Sequence, residues 1–191
     1  LTVALEGPTD QAVVERLLVW LGLDLGKVVL CGGKGKLDKR LSAYNQAARY
    51  APWLVLRDLD LDAPCAPELV AAQLPSPAEQ MCFRVVVRAI EGWLLADAES
   101  MASFLGTDVR NLPMSPDDLR SPKQELLNIA RKGRSRAVRE DLLPVAGTTA
   151  TLGPGYTARI IEFSARHWRP DAAADRSPSL ASCIRALGRF K

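Results

Sequence analysis

Glu6, Asp58 and Asp60 are the residues of this chain whose types and spacing best suit chemistry. Glu6-Gly7 follows the apolar run Thr2-Val3-Ala4-Leu5, and Asp58-Leu59-Asp60 follows Trp53-Leu54-Val55-Leu56 through Arg57. A carboxylate just past a buried strand lies where open α/β sheets bind ligands, at the carboxyl edge of the sheet. Asp58 and Asp60 are two apart, so an extended chain projects both to the same side, where they could hold one metal ion. Carboxylates about 4 Å apart repel by roughly 4 kcal/mol at an effective dielectric near 20, against a whole-domain stability of roughly 5 to 15 kcal/mol. Such a cluster needs a proton, a Lys or Arg, or a divalent cation beside it. With hard oxygen donors and no His or Cys nearby, Mg²⁺ or Mn²⁺ is expected rather than zinc.

The elements that must position these groups alternate in type. Strands are expected near 2–6, 27–31, 53–58 and 83–88, with helices near 9–21, 36–49, 66–73 and 90–104. In the first helix Val13, Val14, Leu17, Leu18 and Leu21 recur at three and four, which marks one buried stripe. Strands alternating with helices imply parallel pairing and right-handed crossovers. The predicted fold class is therefore α/β, a Rossmann-like parallel sheet flanked by helices. The first helix, starting at Pro8 or Thr9, then presents free N–H groups and its positive dipole end beside Glu6, an anion site next to the acids.

Past about residue 107 the pattern becomes helical. Asn111 to Pro122 is rich in Pro, Asp and Ser, as in a linker or loop. Ser121 reads as an N-cap, Pro122 as the first helical position and Gln124 as the partner completing a capping box. Helices are expected near 122–132, 135–141, 155–168 and 179–188, and the Ala-rich stretch Asp171 to Asp175 reads as loose. The organisation expected is an α/β domain over 1–106 and a helical C-terminal extension over 107–191 packed on it.

Composition narrows the function classes. With 191 residues, 48% of them hydrophobic, the chain can bury a core of its own. No apolar run approaches the roughly 18 residues of a membrane span, and the N-terminal residues go straight into a strand pattern rather than a signal peptide. A cytoplasmic protein without membrane contact is expected. Cys31, Cys65, Cys82 and Cys183 are widely spaced with no CxxC, which reads as reduced structural thiols. His167 is the only histidine, so a Ser-His-Asp triad or a histidine-based zinc site is disfavoured. Net charge is only +3, yet Arg120, Lys123, Arg131, Lys132, Arg134, Arg136 and Arg139 face Glu125 alone in their stretch. Such a run can neutralise the phosphates of DNA or RNA or form a solvated helix face.

Glu6-Gly7-Pro8-Thr9-Asp10 together with Asp58-Leu59-Asp60 resembles the TOPRIM domain of topoisomerases, bacterial primases, small RNA maturases and OLD-type nucleases. That family shows a Glu-Gly at the end of its first strand, often with an Asp three residues on, and an Asp-x-Asp at the end of its third. The glycine-rich turn Gly32-Gly33-Lys34-Gly35-Lys36 is similar as well, and the resemblance covers roughly residues 1–100. The block Ala89-Ile90-Glu91-Gly92-Trp93-Leu94-Leu95-Ala96-Asp97, with Ser121-Pro122-Lys123 and Gly153-Pro154-Gly155-Tyr156, resembles a group of stand-alone TOPRIM-like proteins of unassigned function.

The resemblance implies a TOPRIM-like fold and Mg²⁺- or Mn²⁺-dependent phosphodiester hydrolysis on nucleic acid. Glu6 would be general acid or base or a metal-bridging ligand, Asp58 and Asp60 would hold the ion, and Lys123 would stabilise developing charge, as lysines do in OLD-type nucleases. Topoisomerases add a nucleophilic Tyr from another domain. Here Tyr44, Tyr50 and Tyr156 read as structural, which points to hydrolysis rather than strand passage. Glu91, just past the fourth strand-like run, is either a second metal site or a helix-start carboxylate favoured by the local dipole. Asp62 reads as a turn residue, because Pro64 soon breaks the extended path. The Gly32 to Lys36 turn lacks the GxxxxGK[ST] spacing, but its backbone, Gly33 included, could cradle a phosphate with Lys34 or Lys36 as cation, or it forms a glycine tight turn with solvated lysines. Arg131, Lys132, Arg134 and Arg136 would bind the nucleic-acid backbone.

Two other functions stay open. One is a catalytically silent TOPRIM module that binds a nucleic acid or nucleotide, with a second copy or a partner protein. The other is a phosphatase of the haloacid dehalogenase type, whose apolar strand and Asp-x-Asp are similar to Leu54 through Asp60. That motif usually lies on the first strand and continues to a Thr, where this chain has Asp62.

Overall fold

Near-continuous apolar runs make strands that are covered on both faces, and three of the four strands here have that character. The computed structural model describes residues Leu1–Lys191. Strands β1 (Thr2–Leu5), β2 (Val28–Leu30), β3 (Trp53–Asp58) and β4 (Met81–Val86) form one all-parallel sheet in the order β2-β1-β3-β4. Val3 pairs with Val28 on one side and Leu54 on the other, and Leu54 with Cys82. The carboxyl ends of β1 and β3, with Glu6 and Asp58, are therefore neighbours at the middle of the sheet.

Helices cover both faces: α1 (Pro8–Leu21), α2 (Lys34–Ala47), α3 (Ala66–Gln73), α4 (Ile90–Ala96), α5 (Ala98–Leu105), α6 (Pro122–Lys132), α7 (Arg136–Leu142), α8 (Tyr156–Arg166), α9 (Pro170–Ala174) and α10 (Pro178–Leu187). Alternate strand residues sort the core into two layers. Ala4, Val55 and Phe83 pack with Leu37, Leu41 and Leu69 of α2 and α3. Val3, Leu5, Leu54 and Leu56 pack with α1 and with a large cluster that includes Trp93, Phe163, Trp168 and Leu187. That second core runs without a break across residue 106, so the C-terminal helices share the core of the sheet. No helix is long and apolar enough to cross a membrane. All four cysteines are free, and His167 packs beside Phe104 and Phe163.

Three local expectations are corrected. The helix predicted over 90–104 is two helices, because Asp97 leaves helical geometry at ψ 73° and its carboxylate starts α5 by accepting the Ser100 N–H. The Ser121 side chain makes no cap hydrogen bond, and Gln124 donates to Asn128 instead, so the capping box does not form. The stretch read as loose contains α9, where Ala173 is buried against the core because its small side chain lets the turn close in.

Asp97 also anchors the C-terminal half. It accepts the Arg169 backbone N–H at 2.9 Å and the guanidinium at 2.6 Å. Burial alone would raise its pKa, but the Arg169 and Ser100 donors outweigh burial and hold the carboxyl below its usual value. A lowered carboxyl pKa contributes stability above the unfolded value, near pH 4, that is lost as pH falls through the folded one. Asp97→Asn is expected to cost about 2–4 kcal/mol in urea unfolding at neutral pH, with the deficit shrinking in acid.

Candidate functional site

The turn after β2, which folds against the end of β1, is built by glycine. Gly32 and Gly33 adopt φ of 69° and 106°, in the left-handed region that disfavours a Cβ, and both N–H groups donate to the Glu6 main-chain carbonyl at 3.0 Å. The expectation that this backbone cradles a phosphate is therefore corrected at Gly33, whose N–H is already used. Lys34 is also engaged, with Asp60 at 2.7 Å and Asp62 at 2.8 Å. Lys36 is exposed.

The Glu6 side chain ties the two strand ends together, its Oε1 accepting the Asp58 N–H at 2.9 Å. Its pKa is raised, first by burial and then by Asp60, against the Asp58 N–H, Arg57 and Lys34. One turn into α1, Asp10 accepts the Gly7 N–H at 2.7 Å and so fills part of the anion site expected at that helix start. Asp10 is only 7% exposed. Burial, then Glu6 and Glu91, push its carboxyl up to about 6 despite the Gly7 N–H and Lys123. Asp58 is raised well above the usual carboxylate range by burial and by Asp10, Glu91, Glu6 and Asp60.

Glu91 joins this group from the first turn of α4 and is 1% exposed. Its Oε1 accepts the Tyr156 hydroxyl at 2.7 Å and has Lys123 Nζ at 3.4 Å. Its Oε2 is buried with no hydrogen-bond partner. Lys123 comes from the first turn of α6 and lies 5.9 Å from the Tyr156 ring centre. Tyr156 opens α8 just after Gly155, where a Cβ would come within 2.6 Å of the Asp141 side chain, so only glycine lets the chain pass there.

Asp60 belongs to a second group. Its φ of 48° ends the extended path assumed for Asp58-Leu59-Asp60, and its carboxylate pairs with Lys34. Beside it Arg57, 3% exposed, donates to Asp38 at 2.8 and 3.0 Å and to Asp62 at 2.6 Å. Asp62 is thus an ion-pair partner as well as a turn residue, and Lys34 and Arg57 hold its carboxyl below the usual range.

Of the residues singled out from sequence, Glu6, Asp58, Glu91 and Lys123 come together, and Asp60 stands beside them on Lys34. Arg131, Lys132, Arg134 and Arg136 do not join them. They are exposed at or beyond the far end of α6, whose 11 residues span about 16 Å, and Arg136 pairs with Glu140 at 2.7 Å. Sequence reasoning missed Arg57 and the contact of Tyr156 with Glu91. A charged residue inside an otherwise apolar strand demands partners, which was the available signal for Arg57.

Comparison with family models, curated proteins and solved structures gives no match to this chain. The fold and site define an α/β protein with a four-stranded parallel sheet and a carboxylate cluster at its carboxyl edge. The donor set suits a hard divalent cation: every donor is oxygen, and the buried Glu91 Oε2 lacks a partner. No three acidic, His or Cys side chains share one coordination sphere in this arrangement, so a cation would have to draw the carboxylates together.

Proposed function

We propose that this chain is a TOPRIM-like, metal-dependent phosphodiesterase acting on DNA or RNA, with Mg²⁺ or Mn²⁺ as cofactor. The observation that carries this reading is the convergence of Glu6, Asp10 and Glu91 on Asp58, whose pKa all three raise, with Lys123 against Glu91. Lys34 and Arg57 are already paired with Asp60, Asp62 and Asp38, so the four carboxylates Glu6, Asp10, Asp58 and Glu91 keep an excess of negative charge over Lys123 that a divalent cation offsets. Glu6, Asp58 and Glu91 are the residues that would hold it, with Asp60 adjoining. Bound there, the ion supplies Lewis-acid polarisation of a phosphoryl oxygen.

The chain's own residues do the rest. Glu6, its pKa raised by burial, is suited to take or give a proton at its carboxylate. Lys123, 48% exposed at the side chain, is the cation able to meet a substrate phosphate. The exposed run Arg131, Lys132, Arg134 and Arg136 is suited to bind the polyanion away from the reacting bond.

The ion pairs of Lys34 with Asp60 and Asp62 favour a second reading, binding of a nucleic acid or nucleotide without turnover, because they already neutralise part of the acidic set. One experiment separates the two. Purified protein is incubated with plasmid DNA and with RNA in Mg²⁺ or Mn²⁺, and again in EDTA. Cleavage that EDTA abolishes is the expected result. Binding in a filter or calorimetric assay with no product would discard hydrolysis in favour of the silent module.

A further inference from the structure

We propose that Tyr156 is a positioning residue of the acidic site: its hydroxyl holds Oε1 of Glu91 and so leaves Oε2 as the free oxygen that the carboxylate cluster offers to a divalent cation. The inference rests on the cation-binding part of the reading above and on none of its hydrolytic part.

The geometry of one carboxyl group carries it. Glu91 has two oxygens, and both donors within reach act on the same one: the Tyr156 hydroxyl at 2.7 Å and Lys123 Nζ at 3.4 Å. The other oxygen is buried and has no partner at all. A buried acceptor without a donor is costly, and turning the carboxyl about its last torsion would only exchange the two oxygens. Tyr156 opposes that exchange, because its ring is 3% exposed and locked at the start of α8. Lys123 is a flexible and half-exposed partner, less able to fix an orientation. The Glu91 carboxyl raises the pKa of both Asp58 and Asp10, so it stands close enough to belong to the same charged group.

Tyr156 itself has almost no exposed surface through which to meet a polymer substrate. Its influence must pass through Glu91, which makes it a positioning rather than a catalytic residue. It also lies in the C-terminal half, 65 residues from Glu91. The acidic site is therefore completed by helices outside the part of the chain that carries the Glu-Gly and Asp-x-Asp motifs.

The test is Mn²⁺ titration by calorimetry on the full chain as wild type, Tyr156→Phe, Glu91→Gln and the double variant. Phe keeps the ring packing, and circular dichroism of each variant reports that the fold is retained. Tyr156→Phe is expected to weaken Mn²⁺ binding by about 10- to 100-fold. Glu91→Gln should lose at least as much, and the double variant no more than Glu91→Gln alone, since both act through one oxygen pair. Equal affinity in wild type and Tyr156→Phe, additive losses in the double variant, or no Mn²⁺ binding by the wild type would each overturn the proposal. Cleavage assays on the same preparations distinguish the two ideas. A wild type that cleaves nothing but loses Mn²⁺ with Tyr156→Phe sinks the phosphodiesterase reading and upholds this one, whereas cleavage by a wild type whose Mn²⁺ affinity Tyr156→Phe leaves intact sinks only this one.

Discussion

Asp58→Asn, which removes a proposed metal ligand, is expected to cut metal-dependent cleavage by at least about 100-fold and, with metal removed, to make the chain harder to unfold. The two effects share one cause. Asp58 is driven well above the usual carboxylate range by burial and by Asp10, Glu91, Glu6 and Asp60, so its ionised form is disfavoured when no cation is bound. Asn keeps the shape and removes the charge. For Asp10, a rise from 3.8 to about 6 corresponds to about 3 kcal/mol. A folded-state pKa above the unfolded one means that the native chain holds a proton where the unfolded chain has lost it. Stability from such a group is fully present below pH about 4, falls as pH rises toward about 6, and stays lost above that. Wild-type protein in EDTA should therefore lose about 2–3 kcal/mol in urea unfolding between about pH 4 and about pH 8, and Asp58→Asn should recover stability at the higher pH by removing one member of the repelling set. Added Mn²⁺ should stabilise the wild type there and the variant far less. An Asn variant that cleaves like the wild type, or whose metal-free form is less stable at pH about 8, would contradict this account.

What the residues disclosed in advance was what local pattern can encode. The β3 and β4 runs are apolar because both faces of the sheet are covered, and α1 carries its stripe at spacings of three and four, so strands and helices could be placed within a few residues. Glu6 and Asp58 were legible because a carboxylate closing an apolar run has few other uses. Pairings set by distant residues were not legible. Lys34 meets Asp60 across 26 positions, Tyr156 meets Glu91 across 65, and Arg169 meets Asp97 across 72. Two of them changed a local expectation, since Asp60 turned from Asp58 toward Lys34 and Tyr156 joined the site, while Arg169 fastened the carboxylate that separates α4 from α5. Even the local capping rule failed at Ser121, where Pro122 is the better signal of the helix start.

Arg57→Leu is the substitution expected to damage the scaffold most. Arg57 lies on the layer of β3 that faces α2, with Val55 and Leu59 as apolar neighbours on the same side. Its guanidinium grips both oxygens of Asp38, reaches Asp62 and donates to the Asp58 main-chain carbonyl at 2.6 Å. One buried cation thus fixes α2, the end of β3 and the loop carrying Asp60 and Asp62. Leu fits the apolar surroundings but leaves Asp38 and Asp62 without their partner and the Asp58 carbonyl without its donor. Breaking a buried pair from one side costs about 3–5 kcal/mol. The aspartate side chains are 28% and 33% exposed, so water recovers part of that, and about 2–4 kcal/mol is the expected loss. For a chain of this length that lowers the melting temperature by about 5–15 °C. Arg57→Lys should lose nearly as much, because an ammonium cannot bridge both Asp38 oxygens, Asp62 and the carbonyl at once. Removing Asp38 together with Arg57 should restore part of the loss, since the unpaired charge goes with it. If Arg57→Leu costs less than about 1 kcal/mol, the cluster behaves as an exposed ion pair. The end of β3 would then be held by its strand pairing with β4 rather than by the arginine.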